Sequence, residues 1–146
     1  MKIEFKKLSE LTSYETWEIF KNRSEVFVVE QKWVACEIDE QDLTATHLII
    51  RNDDNQLVAY LRIYEKLDGT VSFGRVLTPF KFRGLKMGKT LLQNAIDWIN
   101  KEWPNKDIKI SAQHYLLNFY KSFGFVECSE VYDDDGIDHI DMIIKK

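Results

Sequence analysis

Apolar positions recur along the chain with two different periods, and the switches between them lay out the elements. Lys2 to Lys7 reads as a short extended segment. From about Ser13, the residues Trp17, Phe20 and Phe27 recur at helical spacing, and Thr12 or Ser13 is placed to cap the start. Residues 31–45, QKWVACEIDEQDLTA, follow neither period and read as a loop. His47 to Arg51 reads as a strand, NDDNQ as a turn, and Leu57 to Glu65 as the next strand, with Leu57, Ala59, Leu61 and Ile63 on one face. Asp68-Gly69 signals a second hairpin turn, and Val71 to Thr78 completes a three-stranded antiparallel meander.

The period then changes to that of a long helix beginning near Met87 or Gly88. Met87, Leu91, Ala95, Ile99 and Trp103 fall on one stripe, and Pro104 stops the helix. Asp107 to Gln113 reads as a buried strand. Tyr115 to Phe123 reads as a short helix closed by Gly124. Val126 to Tyr132 and His139 to Lys145 are two strands joined by DDDGID. The order β-α-β-β-β-α-β-α-β-β describes an α/β (α+β) protein with a mixed sheet, without internal repeat or linker. Residues 1–146 read as a single domain.

Composition narrows the function classes. With 45% hydrophobic and 30% charged residues the chain is an ordinary globular one. Its net charge is −4 and it has no basic stripe, so nucleic acid is not an expected partner. An acidic surface suits a cationic or neutral small molecule better. Cys36 and Cys128 stand far apart, form no CxxC pair and read as free thiols of a reducing cytoplasm. Three histidines without ligand spacing give no reason to expect a metal. The N-terminal MKIEFKKLSE has no signal-peptide core, and no apolar run reaches the ~18 residues of a membrane span.

The candidate chemistry centres on FRGLKMGKT, Phe82 to Thr90. Gly88-Lys89-Thr90 ends like a P-loop, G-x-x-x-x-G-K-[ST], but Arg83 stands where its first glycine belongs. A P-loop also needs a parallel sheet behind it and an acid ending a later apolar strand, whereas DIKISAQ ends in Gln113. What remains is a strand-to-helix loop whose free N–H groups and Arg83, Lys86 and Lys89 favour a phosphate group. Alternatively, it is an ordinary turn with solvated lysines.

RGLKMG, Arg83 to Gly88, resembles the pyrophosphate loop of the GNAT superfamily of N-acetyltransferases, [QR]-x-x-G-x-[GA]. Arg83 and Gly88 fit the pattern, and Lys86 stands where its first glycine belongs. NFYKSFGF, Asn118 to Phe125, resembles the GNAT element Y-x-x-x-G-F, and the order of elements is similar across almost the whole chain. RSEVFVVEQ, EIDEQDLTATH, GRVL, LKMG and EVYDDDGIDHIDM are similar to segments of the ElaA branch, which shares the lysine in the loop. The resemblance implies a central mixed, mostly antiparallel sheet of six to seven strands with helices on both faces.

It also implies transfer of an acetyl group from acetyl-CoA, as co-substrate and without a metal, to an amine that attacks directly in a ternary complex. The backbones of Val76, Leu77 and Thr78 would hold the oxyanion and the pantetheine arm. Arg83, Gly84, Leu85, Lys86, Met87, Gly88 and Lys89 would cradle the pyrophosphate, with Asn118 as a further coenzyme contact. Tyr120, with Gly124-Phe125 behind it, would protonate the leaving thiolate; the alternative reading is a buried core tyrosine with a satisfied hydroxyl. The strand VSFGRVL carries no acid, so the base falls to His139, Glu30, Asp39 or Asp42, with water as a relay. His139 beside a turn also reads as a structural residue. Glu30, Trp33, Asp39, Asp42 and Arg75 are the candidate acceptor contacts. The acidic loop would recognise a cationic amine, or be a solvated face, or pair with Arg62 and Arg75. Homodimerisation is a family expectation.

RSEVFVVEQKW followed by EIDEQD is also similar to the N-terminal half of acyl-homoserine-lactone synthases, through Arg23, Phe27, Trp33, Asp39 and Asp42. Those proteins are longer, and the Tyr120 element favours acetyl-CoA. A non-catalytic acyl-CoA sensor is the remaining alternative.

Overall fold

The computed structural model describes residues 1–146. In chain order the elements are β1 (Lys2–Lys7), α1 (Ser13–Arg23), a π-helical continuation (Ser24–Glu30), α2 (Gln41–Thr44), β2 (Thr46–Arg51), β3 (Leu57–Glu65), β4 (Val71–Leu77), α3 (Met87–Glu102), β5 (Ile108–Gln113), α4 (Leu117–Lys121), β6 (Val126–Glu127), β7 (Tyr132–Asp134) and β8 (Ile137–Ile144). The eight strands form one sheet in the order β1-β2-β3-β4-β5-β8-β6, with β7 also on β8. Only β4 and β5 run parallel. The expected six to seven strands become eight because Val126–Tyr132, read as one strand, splits in two.

Helices cover both faces, so β2 and β3 are buried on both sides and their alternation packs two cores. Leu48, Ile50, Ala59, Leu61 and Ile63 meet Leu91, Leu92, Ala95 and Ile99 of α3. Ile49 and Tyr60 meet Ile19, Val26 and Phe27 on the opposite face. Leu57 departs from its expected face. A bulge at Ile50/Arg51 shifts the register, and Leu57 packs with Ile19 and Ile49 instead. Trp17 keeps its helical spacing but points outward at 53% exposure, beneath the Lys21 ammonium.

The Thr12 hydroxyl accepts from the Glu15 N–H, and the Glu15 carboxylate accepts from the Thr12 N–H, which closes a capping box at the start of α1. After Arg23 the helix widens to π geometry, a form that recurs at functional sites. Residues 31–45 are irregular, as expected, apart from α2.

Candidate active site

The meander is interrupted where β4 meets the site. Tyr60 pairs with Leu77 and Arg62 with Gly74, so β4 carries one residue more than β3 over this stretch. The extra residue shows in Arg75, whose φ is +53°, a left-handed value that a non-glycine side chain adopts at a cost. The bulge leaves Arg75 and Val76 without a register partner on β3, between the pairs made by Gly74 and Leu77. On its other side β4 pairs with β5 only at Val71–Ile108, and beyond that point the two strands separate.

The opening holds a cavity of about 180 Å³, lined by Phe73, Gly74 and Val76 from β4 and by Ile110, Ser111 and Gln113 from β5. Trp33, Arg75, Tyr120 and His139 also line it. A wider cavity of about 630 Å³ adjoins it, sharing Trp33, Tyr64, Lys66 and Arg75. Together they form one groove across the splayed strands. Gln113 donates to Gln31 at 2.9 Å, linking the end of β5 to the end of the π segment.

Tyr120 sits on α4 with 4% of its surface exposed, edge-on to Phe119 and Phe125. Its hydroxyl makes no hydrogen bond within the protein, and the residue lines the smaller cavity. Burial, with Tyr115 nearby, pushes its pKa up, so the phenol keeps its proton at neutral pH. His139 on β8 is 9% exposed and stacks on Tyr132. Its Nδ1 lies 2.8 Å from the Ile137 carbonyl, which can only accept, so in the neutral ring Nδ1 carries the proton and Nε2 the lone pair. The only carboxylate at Nε2 is Asp134, at 3.9 Å.

The coenzyme-loop candidate leads from β4 into α3. Lys86 at its N-cap has φ +59° and ψ +26°. The lysine therefore holds the left-handed conformation suited to the glycine of the resembled pattern. Gly84 also has positive φ. Arg83 donates to the Thr78 carbonyl at 3.0 Å and forks onto Glu30 at 2.8 and 2.7 Å. This fork holds the Glu30 carboxyl below its ordinary range. Glu30 is thus paired with the loop arginine. The P-loop alternative fails, because β4 is antiparallel to β3 and β5 ends on Gln113 without an acid.

The acidic loop folds inward. Arg23, fully buried, donates from Nε to Glu37 at 2.6 Å and from its two terminal nitrogens to Asp42 at 2.6 and 3.1 Å. Arg62 forks onto Asp39 at 2.6 and 3.0 Å and reaches Asp42 at 3.1 Å. Arg75 lies 3.2 Å from Glu37, donates to its carbonyl at 2.9 Å and stacks 4.6 Å over the Trp33 ring. Burial opposes ionisation of Asp42, yet the bonds from Arg23 and the charge of Arg62 hold its pKa below the ordinary value.

His47 Nε2 lies 3.1 Å from the Asp42 carbonyl and its Nδ1 lies 2.7 Å from the Tyr60 hydroxyl. Nε2–H therefore donates to the carbonyl, Tyr60 donates to Nδ1, and Tyr60 in turn accepts from Arg23 at 3.3 Å. Every member of this chain is satisfied, with histidine neutral. Asp42, read from sequence as an acceptor contact, is 2% exposed with both oxygens engaged, and so belongs to the scaffold. Asp39 does line the wider cavity, bound to Arg62. The sequence singled out Arg23 only through the lactone-synthase resemblance, and gave no role to His47 or Tyr60.

Residues 11–146 match the family model for the acetyltransferase (GNAT) domain. The chain belongs to the GNAT acetyltransferase family. Within it the chain sits in the ElaA-like branch, and acyl transfer is its reaction class. It is 39% identical to protein ElaA of Escherichia coli, over 92% of this chain and 90% of that one. It is 42% identical to UPF0039 protein sll0451 of Synechocystis, over 88% and 84%. The solved structure of E. coli ElaA superposes with a TM-score of 0.91, covering 99% of both chains at 36% identity. An acyl-CoA N-acyltransferase from Pseudomonas aeruginosa gives 0.90, covering 98% of this chain and 99% of that one at 37% identity. No helix is long and apolar enough to cross a membrane.

Proposed function

We propose that this GNAT protein transfers an acetyl group from acetyl-CoA to an amine by direct attack within a ternary complex. The observation that carries the reading is Tyr120, without a hydrogen-bond partner for its hydroxyl, lining the cavity where β4 and β5 separate. The free edge of β4 pairs with the pantetheine arm as an added strand. Backbone N–H groups of Val76, Leu77 and Thr78, exposed by the bulge at Arg75, donate to the carbonyl oxygen as it becomes an oxyanion. Residues 83–89 and the start of α3 bind the pyrophosphate, with Asn118 alongside.

His139 Nε2 takes the proton of the attacking amine, directly or through water. As the new N–C bond forms and the C–S bond breaks, Tyr120 gives its proton to the departing sulfur. A proton then returns from His139 to the Tyr120 oxygen through solvent, and both residues are restored. Trp33, Arg75 and Asp39 shape the acceptor side of the groove. Asp42 and Arg23 support them from below.

Isothermal titration with acetyl-CoA, beside ATP-magnesium, tests the donor. Micromolar binding of acetyl-CoA with none of ATP is expected. Absence of acetyl-CoA binding would overturn the reading.

A further inference from the structure

The proposed base on β8 has an aromatic neighbour that the acetyl-transfer steps do not use. Tyr132 on β7 is the register partner of His139. Asp141, two residues further along β8, is the register partner of Ser111 on β5. The Tyr132 ring stacks on the His139 imidazole, with centroids 6.1 Å apart and planes 27° from parallel. Its hydroxyl reaches across β8 and meets both Asp141 and Ser111.

The direction of these bonds follows from the donors present. A carboxylate can only accept, so the phenol donates to Asp141 Oδ1 at 2.6 Å. The phenol has no second proton, and Ser111 Oγ–H therefore donates to it. Burial and the bond to Asp141 push the Tyr132 pKa up to about 12, so the phenol keeps its proton at neutral pH. Tyr132 is 37% exposed, yet its far end is tied to two strands.

Two acceptors compete for the single proton of a neutral His139 ring. One is the Ile137 carbonyl, 2.8 Å from Nδ1, and the other is the Asp134 carboxylate, 3.9 Å from Nε2. Only the Nδ1–H form leaves Nε2 the lone pair that a base needs. A swing of the ring toward Asp134 would put the proton on Nε2 and remove that lone pair.

We propose that Tyr132 is a positioning residue for His139, with Asp141 and Ser111 as its anchors. The proposal rests on the reading of His139 as the base and deepens it. Tyr132 lines neither cavity, so it acts through His139 and not on a substrate. The anchored ring limits rotation of the imidazole, keeps Nδ1–H on the Ile137 carbonyl and keeps Nε2 free to take a proton.

Nitrogen NMR of the neutral imidazole rings tests this, because it reads which ring nitrogen carries the proton. Wild type should show His139 as the Nδ1–H form and His47, held in its own network, as the Nε2–H form. His139→Gln identifies the His139 signals among the three histidines. Tyr132→Leu removes both ring and anchor, and should shift His139 toward Nε2–H while His47 stays put. Tyr132→Phe and Asp141→Ala each keep the ring and cut the bond to Asp141, so they should give the same, smaller shift. These two variants decide the matter if Tyr132→Leu does not fold. An unmoved His139 in the folded variants, or His47 moving together with it, would overturn the proposal.

A thiol-release assay with acetyl-CoA and a panel of amino acids, polyamines and peptides tests the reading beneath it. On an amine that wild type uses, Tyr132→Phe should lower kcat about fivefold and leave the acetyl-CoA dissociation constant in place, well short of the ~10²-fold that a 1 Å misplacement can cost. Undiminished turnover in His139→Gln would overturn the base reading, and with it the catalytic use of Tyr132. Turnover lost in His139→Gln, with the tautomer unmoved in the Tyr132 variants, would overturn the positioning role alone.

Discussion

Two charged stretches of this chain, one basic and one acidic, end in opposite situations. Residues 83–89 keep Arg83, Lys86 and Lys89 at the surface around a helix N-terminus, and the one close ion pair, Arg83 with Glu30, is 39% and 40% exposed. Residues 37–42 turn Glu37 and Asp42 into the interior, where Arg23 holds both with none of its own surface exposed. The first set has charges that can be re-partnered by a ligand at small cost. The second has charges already desolvated and already matched. A carboxylate in the second set is spent on holding residues 31–45 against β3 and β4, and so on shaping the groove without touching what binds there.

The sharpest way to break this comparison is to remove one arginine from each set. Arg23→Ala strands two carboxylates in the interior and should cost about 3–5 kcal/mol, enough to unfold much of the population. Arg83→Ala should cost at most about 1 kcal/mol, because its pair is solvent-screened. Urea denaturation of both variants measures the difference. Similar losses would mean that the buried network is worth no more than a surface pair.

Between the two sets lies the proposed chemistry. Tyr120→Phe deletes a hydroxyl that bonds nothing in the protein, so folding should barely change. Turnover with acetyl-CoA should fall about 100-fold while its dissociation constant stays put. Unchanged turnover would return Tyr120 to the core.

The network also has its own pH signature. Burial is the main cause that lowers the pKa of His47, and the neutral ring is the one that fits between Tyr60 and the Asp42 carbonyl. A lowered folded-state value means that the unfolded chain binds the proton first. The contribution of His47 is therefore complete above ~6.5, the ordinary histidine value, and is lost as pH falls toward the folded value. Asp42 behaves likewise below ~3.9. The urea midpoint should drop between pH 7.5 and 5.5. His47→Gln, though less stable at pH 7.5, should show a flatter profile across that interval. A profile as steep as wild type would place the titration elsewhere.

How much of this was legible beforehand follows from what each signal encodes. Period and turn residues report which faces are apolar, so the meander, α3 and the Gly124 stop were readable, and the GNAT resemblance placed the Tyr120 element. Pairing between distant charges leaves no period. EIDEQD reads the same whether its acids face water or Arg23, and only the suggestion that Arg62 and Arg75 pair with them pointed inward. Register slips are equally silent: nothing in VSFGRVL announces that Arg75 takes a left-handed φ, or that Leu57 changes face.

The smallest effect is expected where the sequence departs most visibly from its family pattern. Lys86 holds a left-handed backbone at the N-cap of α3, and in the proposed reading its ammonium lies near the coenzyme phosphates. Lys86→Gly would relieve the Cβ clash, worth roughly 1–2 kcal/mol, but would loosen the unfolded chain by about 0.5–1 kcal/mol. Net stability should therefore rise by no more than about 1.5 kcal/mol. The lost charge acts in the other direction on ligand binding. One exposed lysine near a phosphate is worth about 0.2–1 kcal/mol, so affinity for acetyl-CoA should weaken up to about fivefold at low salt and converge on wild type at high salt. Titration at two ionic strengths reads this directly. A salt-independent loss would mean that the lysine matters through the shape of the loop, and the surface stretch would then serve structure as much as the buried one does.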